Sequence, residues 1–221
     1  MTIDEWIKNG KPWNVILHGD CMDLMKHFND KEVSLSIVDP PYGIGAGSVK
    51  FKNGTSNNNI GYKIKDWDVL PDMEYFNELI RISQNQIIWG GNYFLSFLFN
   101  TKCFIVWDKM TGSNSYADAE LAWTSFNSPI KIYRKLWLGA NAKNDTKRIH
   151  PTEKPVALYR WLLQNYAKPG DKIIDTHSGS GSCAIACHLE KFDFLAIEKD
   201  EDYYKASVKR LEEIRSQGVL F

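Results

Sequence analysis

The run Val33-Ser-Leu-Ser-Ile-Val38 ends abruptly in Asp39-Pro40-Pro41-Tyr42. An apolar stretch of that length, rich in β-branched residues, reads as a buried strand. The two prolines force it to stop. Each has a fixed φ and no backbone N–H, so neither can donate to a ladder, and each drives the residue before it out of the helical region. Asp39 and Pro40 are therefore held extended at the strand end, with the Pro40 carbonyl free to accept. A carboxylate and a carbonyl in that position can hold both hydrogens of an exocyclic –NH2, and the Tyr42 ring stands beside them to stack on a planar base. The competing reading is a plain β-turn, in which Asp, Pro and Tyr are all common. The rest of the chain has to choose between the two.

The pattern around this strand predicts a single α/β domain of 221 residues, with a mostly parallel twisted sheet and helices on both faces. Strands are expected at 14–17, 33–39, 86–89, 103–107, 120–126, 130–136, 172–175 and 194–198. Asn127-Ser128-Pro129 reads as the turn joining the fifth and sixth. Helices are expected around 22–28 and at 72–83, 93–99, 155–167, 182–190 and 201–216. Residues 43–66 form a polar Gly/Asn/Ser/Lys stretch without apolar period, longer than a passive connection in a compact domain usually is, and read as a mobile loop. A second polar, basic loop is expected at 139–150.

The formal net charge is zero, which excludes a simple polycation. The charge is nevertheless uneven. Between Lys131 and Lys154 seven bases face Asp145 and Glu153, a local +5; between Glu190 and Glu213 eight acids face five bases, a local −3. A neutral chain with one basic segment can bind nucleic acid there. Cys21, Cys103, Cys183 and Cys187 show no Cys-x-x-Cys pattern, so no metal site is expected. Without a leader or an apolar run of membrane length, a reduced cytoplasmic protein is the expectation.

A second site follows the strand at 172–175. Asp175-Thr-His-Ser-Gly179-Ser-Gly181-Ser182 is a strand end, a glycine-rich turn and a helix start, the form in which a backbone approaches a ligand closely. The next strand ends at Glu198, about where a ribose-binding acid stands in nucleotide-binding βαβ units. The three-glycine dinucleotide spacing is missing, which argues against NAD and for a smaller adenosine cofactor.

Taken together these residues resemble the permuted, or β-class, DNA amino-methyltransferases, in which the Asp-Pro-Pro-Tyr half precedes the S-adenosylmethionine half. Five anchors carry the resemblance in the expected order. Gly19-Asp20-Cys21 resembles the element bordering the cofactor adenine, and Asp39, Pro40, Pro41 and Tyr42 resemble the catalytic motif. His150-Pro-Thr152-Glu-Lys154-Pro155 resembles the element near the methionine end. Asp175 to Ser182 resembles the glycine motif, with Ser178, Gly179, Gly181 and Ser182 at the turn, and Glu198 resembles the ribose acid. Thr176-His177 stands where the family commonly has Pro-Phe, so His177 either takes over an aromatic contact to the cofactor or has no part in it.

The resemblance implies a Rossmann-like methyltransferase that uses S-adenosylmethionine, leaves S-adenosylhomocysteine, needs no metal, and methylates a base flipped out of DNA. It implies adenine N6 as the target, since serine at the first motif position is more usual for cytosine N4, the nearest alternative. A catalytically silent DNA-binding module is the alternative of another class, disfavoured by the intact quartet. DNA is the implied partner, with room for a homodimer and a cognate restriction enzyme. Trp89, Asn92 and Lys109 fall at strand ends and are candidates for the base pocket, while Trp123, Trp137 and Trp161 read as core. Lys50 and Lys52 in the 43–66 loop, with Lys131, Arg134, Lys135, Lys147 and Arg148, are candidates for DNA contact. Residues 111–149 form a short target-recognition region, which predicts a short or relaxed recognition site.

Overall fold

The computed structural model describes residues 1–45, 67–112, 117–137 and 149–217. The expected loop at 43–66 therefore lies almost wholly outside the described residues, as do Lys50, Lys52, Lys147 and Arg148.

Eight strands form one sheet: β1 (Val15–His18), β2 (Val33–Val38), β3 (Ser83–Trp89), β4 (Phe104–Asp108), β5 (Ala119–Thr124), β6 (Lys131–Arg134), β7 (Lys172–Asp175) and β8 (Asp193–Glu198), in the order β1-β8-β7-β2-β3-β5-β4-β6. Only β5 is reversed; it pairs antiparallel with both β3 and β4. Among the described residues six α-helices accompany the sheet: α1 (Ile3–Lys8), α2 (Cys21–Met25), α3 (Met73–Ile82), α4 (Val156–Tyr166), α5 (Ser182–Glu190) and α6 (Glu201–Ser216).

Strands covered on both faces read as continuous apolar runs, and β2 shows how the pleat divides them. Leu35 and Ile37 join Leu158, Leu162, Ile185 and Leu211 in one core. Val38 and, from β7, Ile174 join Trp6, Leu24, Phe76 and Leu79 in the other. Trp123 is fully buried, while Trp137 and Trp161 pack against the first core.

The crossover through α5 carries the chain from β7 to β8 on one side, and the crossover through α3 carries it from β2 to β3 on the other. Between β7 and β2, paired at Leu35↔Ile173 and Ser36↔Ile174, the strand order reverses direction. In an open α/β sheet, ligands bind outside the carboxyl ends at such a switch point.

Three features differ from the expectation. Helix α1 was not foreseen, although Thr2 and Glu5 form a capping box that signals it. The helix expected at 93–99 is only a 3-10 turn, Gly91–Tyr93. Gly90 enters it in the left-handed region, and so short a stretch gains too few hydrogen bonds to nucleate a helix. Finally, β5 and β6 are not paired across Asn127-Ser128-Pro129. Both edges of β5 are already taken by β3 and β4, so β6 adds in parallel to the free edge of β4.

Candidate active site

The parallel strands bring their carboxyl ends to one edge of the sheet. Asp39 follows β2, Gly90 follows β3, Asp175 ends β7 and Glu198 ends β8. Because β5 runs backwards, Glu120, near its start, faces Trp107 near the end of β4 at the same edge.

Asp39 is the hub of a buried polar cluster. The Tyr42 hydroxyl donates to its Oδ1 at 2.6 Å, and the Lys154 ammonium lies 2.5 Å from its Oδ2. Lys154 also donates to the Tyr42 hydroxyl at 3.2 Å and pairs with Glu120 Oε2 at 3.0 Å. Glu120 Oε1 in turn holds Lys109 at 2.7 Å. The Lys154 side chain is 3% exposed, so its charge is removed from water and depends on these partners. Burial pushes the Asp39 carboxyl above its ordinary range, against the pull of the Lys154 ammonium. Burial also pushes Glu120 upward, but Lys154 and Lys109 outweigh it and hold the carboxyl below its usual value. Burial lowers the Lys154 ammonium, and the two carboxylates overcome that and raise it. Lys154, expected with the cofactor residues, is thus seated on the Asp-Pro-Pro-Tyr motif.

The Tyr42 ring is held from its sides as well as through its hydroxyl. It stacks on Tyr93 with centroids 4.9 Å apart and planes at 17°, and Phe94 meets it edge-on at 5.9 Å. Gly90 lies against the ring: a Cβ there would overlap it, at 2.6 Å from Cδ1 and 2.7 Å from Cζ. Only glycine accepts both that approach and a φ of +73°.

The glycine turn is braced by the next strand. Gly179 N–H donates to Glu198 Oε2 at 2.7 Å, Asp200 N–H donates to Oε1 at 2.9 Å, and Ser178 N–H donates to the Ile197 carbonyl at 3.0 Å. Burial raises the Glu198 carboxyl. Asp20 caps α2 through the Met22 N–H at 2.9 Å and pairs with Lys199 at 2.9 Å. Cys21 follows it, and burial lifts its thiol to about 12, which makes it a packing residue and not a nucleophile.

Asp175 is 5% exposed; burial raises its carboxyl to about 8, although the His177 N–H donates to it at 3.1 Å. Burial lowers the His177 imidazole to about 4, so it is neutral at pH 7. Its ring sits edge-on to Tyr75, whose hydroxyl bonds Thr176 Oγ1 at 2.7 Å. The His150 ring packs on Tyr203 at 4.3 Å and on Trp67 at 5.1 Å, with Thr152 Oγ1 3.1 Å from its Nδ1. Arg210 ties this element to the turn: it pairs with Glu153 at 3.1 Å and donates to Ser182 Oγ and the Ser180 carbonyl at 3.1 Å each. The Ser178 hydroxyl is buried in the turn without a hydrogen-bond partner among the described residues. An unsatisfied hydroxyl beside a strand-end glutamate suits a polar ligand such as an adenosine cofactor.

The remaining candidates separate. Trp89 is fully buried under Lys154, with its ring 5.4 Å from Nζ, whereas Asn92 is exposed. Lys109 is engaged by Glu120. Arg134 is exposed at the site edge and pairs with Asp108 at 3.3 Å; the Lys135 N–H donates to the Asp108 carbonyl at 3.2 Å. Lys131 opposes Ile105 at the far end of β6, about 10 Å below Arg134 at ~3.3 Å per residue. Residues 119–124 of the expected recognition region form strand β5 inside the sheet, with Ala122, Trp123 and Thr124 buried. Glu120, Tyr93 and Tyr75 were not foreseen. A lone carboxylate opening the apolar strand Ala119–Thr124 was the available signal for Glu120. Among the described residues no three His, Cys, Asp or Glu side chains gather as a metal site, and no helix is long and apolar enough to cross a membrane.

A sheet with one reversed strand and a crevice between β7 and β2 is the Rossmann-like methyltransferase architecture. Residues 33–209 match the N6/N4 DNA methylase family, and the chain belongs to it. The type II methyltransferase M2.MboI of Moraxella bovis is 25% identical over 241 aligned positions, covering 90% of this chain and 88% of that protein. Among solved structures, M1.HpyAVI bound to SAM superposes with a TM-score of 0.57 at 22% identity, covering 88% of this chain and 98% of that one. PvuII DNA methyltransferase, cytosine-N4-specific, reaches 0.60 at 12% identity, with 91% of each chain covered.

Proposed function

We propose that this DNA methyltransferase transfers a methyl group to the N6 amine of a flipped-out adenine. The observation that carries the reading is Asp39 at the end of β2, its carboxylate bonded to the hydroxyl of the clamped Tyr42 ring. When bound, S-adenosylmethionine would supply an electrophilic methyl on a sulfonium, with the thioether S-adenosylhomocysteine as the leaving group. Asp20, Ser178, Gly179 and Glu198 are the residues assigned to hold it, with His150 and Thr152 nearer the methionine end.

An adenine N6 is a weak nucleophile because its lone pair is delocalised into the ring. Hydrogen bonds from N6–H to Asp39 and to the Pro40 carbonyl favour a pyramidal nitrogen whose lone pair points away from both acceptors. As the N–CH3 bond forms the S–CH3 bond breaks, the nitrogen becomes cationic, and one of its protons leaves through Asp39 to solvent. Positioning and a fixed carboxylate beside the growing positive charge supply the acceleration. Inside a duplex N6 cannot be reached this way, so the base leaves the stack and rests on Tyr42. Arg134 and Lys135 are assigned to phosphate contact, which positions DNA without reading sequence.

Adenine is preferred over cytosine because the first motif position is Asp39 and not serine; a cytosine-N4-specific enzyme among the structural relatives makes N4 transfer the second reading. Incubation with DNA and labelled S-adenosylmethionine, followed by nucleoside mass spectrometry, tests this. N6-methyladenine is the expected product. N4-methylcytosine would replace the reading, and no labelled nucleoside would reject it.

A further inference from the structure

We propose that Glu120 is a positioning residue for the transfer, the second carboxylate that holds the Lys154 ammonium when the target amine claims Asp39. The inference rests on the amine-transfer reading above. Both Asp39 oxygens are engaged before any substrate arrives, Oδ1 by the Tyr42 hydroxyl and Oδ2 by Lys154. An amine that takes either oxygen must displace a donor, and the ammonium is the costlier to strand, since a buried charge without a partner is strongly unfavourable.

Glu120 removes that obstacle. Its Oε2 already stands 3.0 Å from the same Nζ, so it can take a larger share of the ammonium with little movement. Its other oxygen is fixed by Lys109 at 2.7 Å, which holds the carboxylate in place whichever way Lys154 leans. The Tyr42 hydroxyl, 3.2 Å from Nζ, is a neutral acceptor and a poorer substitute. Lys154 thus shifts between two carboxylates without losing its ionic partner, and Asp39 is released to the amine while still ionised.

Asp39 is faced by charged or titratable groups from several elements. Lys154 comes from the segment before α4, Glu120 from β5, Tyr159 from α4, and Tyr75 and Asp175 from α3 and β7. Removing the Glu120 charge takes a like charge away from Asp39, so the Asp39 carboxyl falls and the acid limb of the rate moves to lower pH. Removing the Lys109 charge leaves Glu120 less neutralised, so the limb moves to higher pH.

The test is single-turnover transfer to DNA across pH for wild type, Glu120→Gln, Glu120→Asp and Lys109→Met, with S-adenosylmethionine affinity by calorimetry on each. Glu120→Gln should slow transfer by about 10- to 100-fold, what a hydrogen bond to a charged group is worth. Cofactor affinity should hold within about twofold, since its site is elsewhere. The acid limb should fall, and Glu120→Asp should recover part of the rate. Lys109→Met keeps the inner Asp39–Lys154–Glu120 set and should move the limb the other way, so the idea stays testable if Glu120→Gln does not fold. A wild-type rate and limb in Glu120→Gln would overturn the proposal. So would a slowed rate with an unmoved limb and lost cofactor affinity, and so would an unmoved limb in Lys109→Met. A wild-type enzyme that methylates no amine would instead reject the reading on which this rests.

Discussion

Replacing Gly90 by alanine strains the backbone and displaces the Tyr42 ring, and a second glycine separates the two effects. At φ +73° an alanine sits in the left-handed region, which costs about 1–2 kcal/mol. Gly10 has nearly the same φ, +78°, with nothing within 4 Å of its would-be Cβ, so Gly10→Ala carries the backbone cost alone. At Gly90 the new methyl would lie 2.6 Å from Tyr42 Cδ1 and 2.7 Å from Cζ. Ordinary carbon contacts are about 3.5–4.0 Å, so the ring must withdraw by roughly 1 Å. Its hydroxyl, 2.6 Å from Asp39, cannot keep that bond after such a shift. A misplacement of about 1 Å at a reacting group costs on the order of 10²-fold in rate. Thermal melts and single-turnover methylation on all three proteins check the reasoning. Gly10→Ala should melt a few degrees lower, at about 2–4 °C per kcal/mol, with the wild-type rate. Gly90→Ala should melt lower still and lose about 10²-fold in rate. If Gly90→Ala transfers within about threefold of wild type, the clamped ring is not what positions the base, and the argument from this glycine fails.

Asp39→Ala should abolish transfer while calorimetry still finds S-adenosylmethionine bound, because the glycine turn is a separate site; substantial single-turnover activity would sink the mechanism. Tyr42→Ala should be far more damaging than Tyr42→Phe, since stacking needs the ring more than the hydroxyl, and equal rates in the two would refute the stacking role. Glu198→Ala should weaken S-adenosylmethionine by about tenfold or more, having lost an acceptor for the ribose and the brace to Gly179, and an unchanged affinity would withdraw the cofactor site. Asp175 titrates at about 8 in the fold against an ordinary 3.8, so between those values the native state keeps a proton that the unfolded chain has released, and this residue's share of stability falls as pH rises. His177, at about 4 against 6.5, opposes it only below pH 6.5. From pH 6.5 to 8 the stability of wild type relative to Asp175→Asn should therefore drop by about 2 kcal/mol in denaturant unfolding, and a constant difference would refute it.

Much of the fold was legible because its signals are local. The apolar run 33–38, the glycine turn at 178–182 and the acid at 198 each announce a strand end or a helix start without reference to distant residues. Where the reading departed from the structure, competition between distant elements decided the outcome. Residues 131–134 have the composition of a strand, but nothing near them in sequence says that β5 is already saturated and that β4 offers the free edge. Glu120 is the same case at the site. Its neighbours in sequence are strand residues, and its ion pair exists only because a reversed strand places it beside a lysine 34 positions further on. Tyr93 belongs with it, a residue of an irregular turn that matters because Tyr42 lies on it.

Lys154 shows why the two halves of such a chain cannot be assigned by segment. It sits in the sequence element that precedes the glycine-turn half, yet its ammonium lies 2.5 Å from the Asp39 carboxylate of the other half. The join between the halves is narrow: β2 and β7 share two register pairs, against five between β2 and β3. A ladder that short leaves the relative placement of Asp39 and the glycine turn dependent on side chains that cross the seam. Lys154 reaches to Asp39 and Glu120 from just before α4, and Arg210 of α6 joins Glu153, next to Lys154, to the turn at Ser180 and Ser182. In the transfer proposed above, a donor methyl and an acceptor amine held by different halves can meet only if the seam is rigid. The His-Pro-Thr-Glu-Lys-Pro element therefore does more than precede the glycine turn: its adjacent glutamate and lysine tie that turn and the Asp39 carboxylate to the same stretch of backbone.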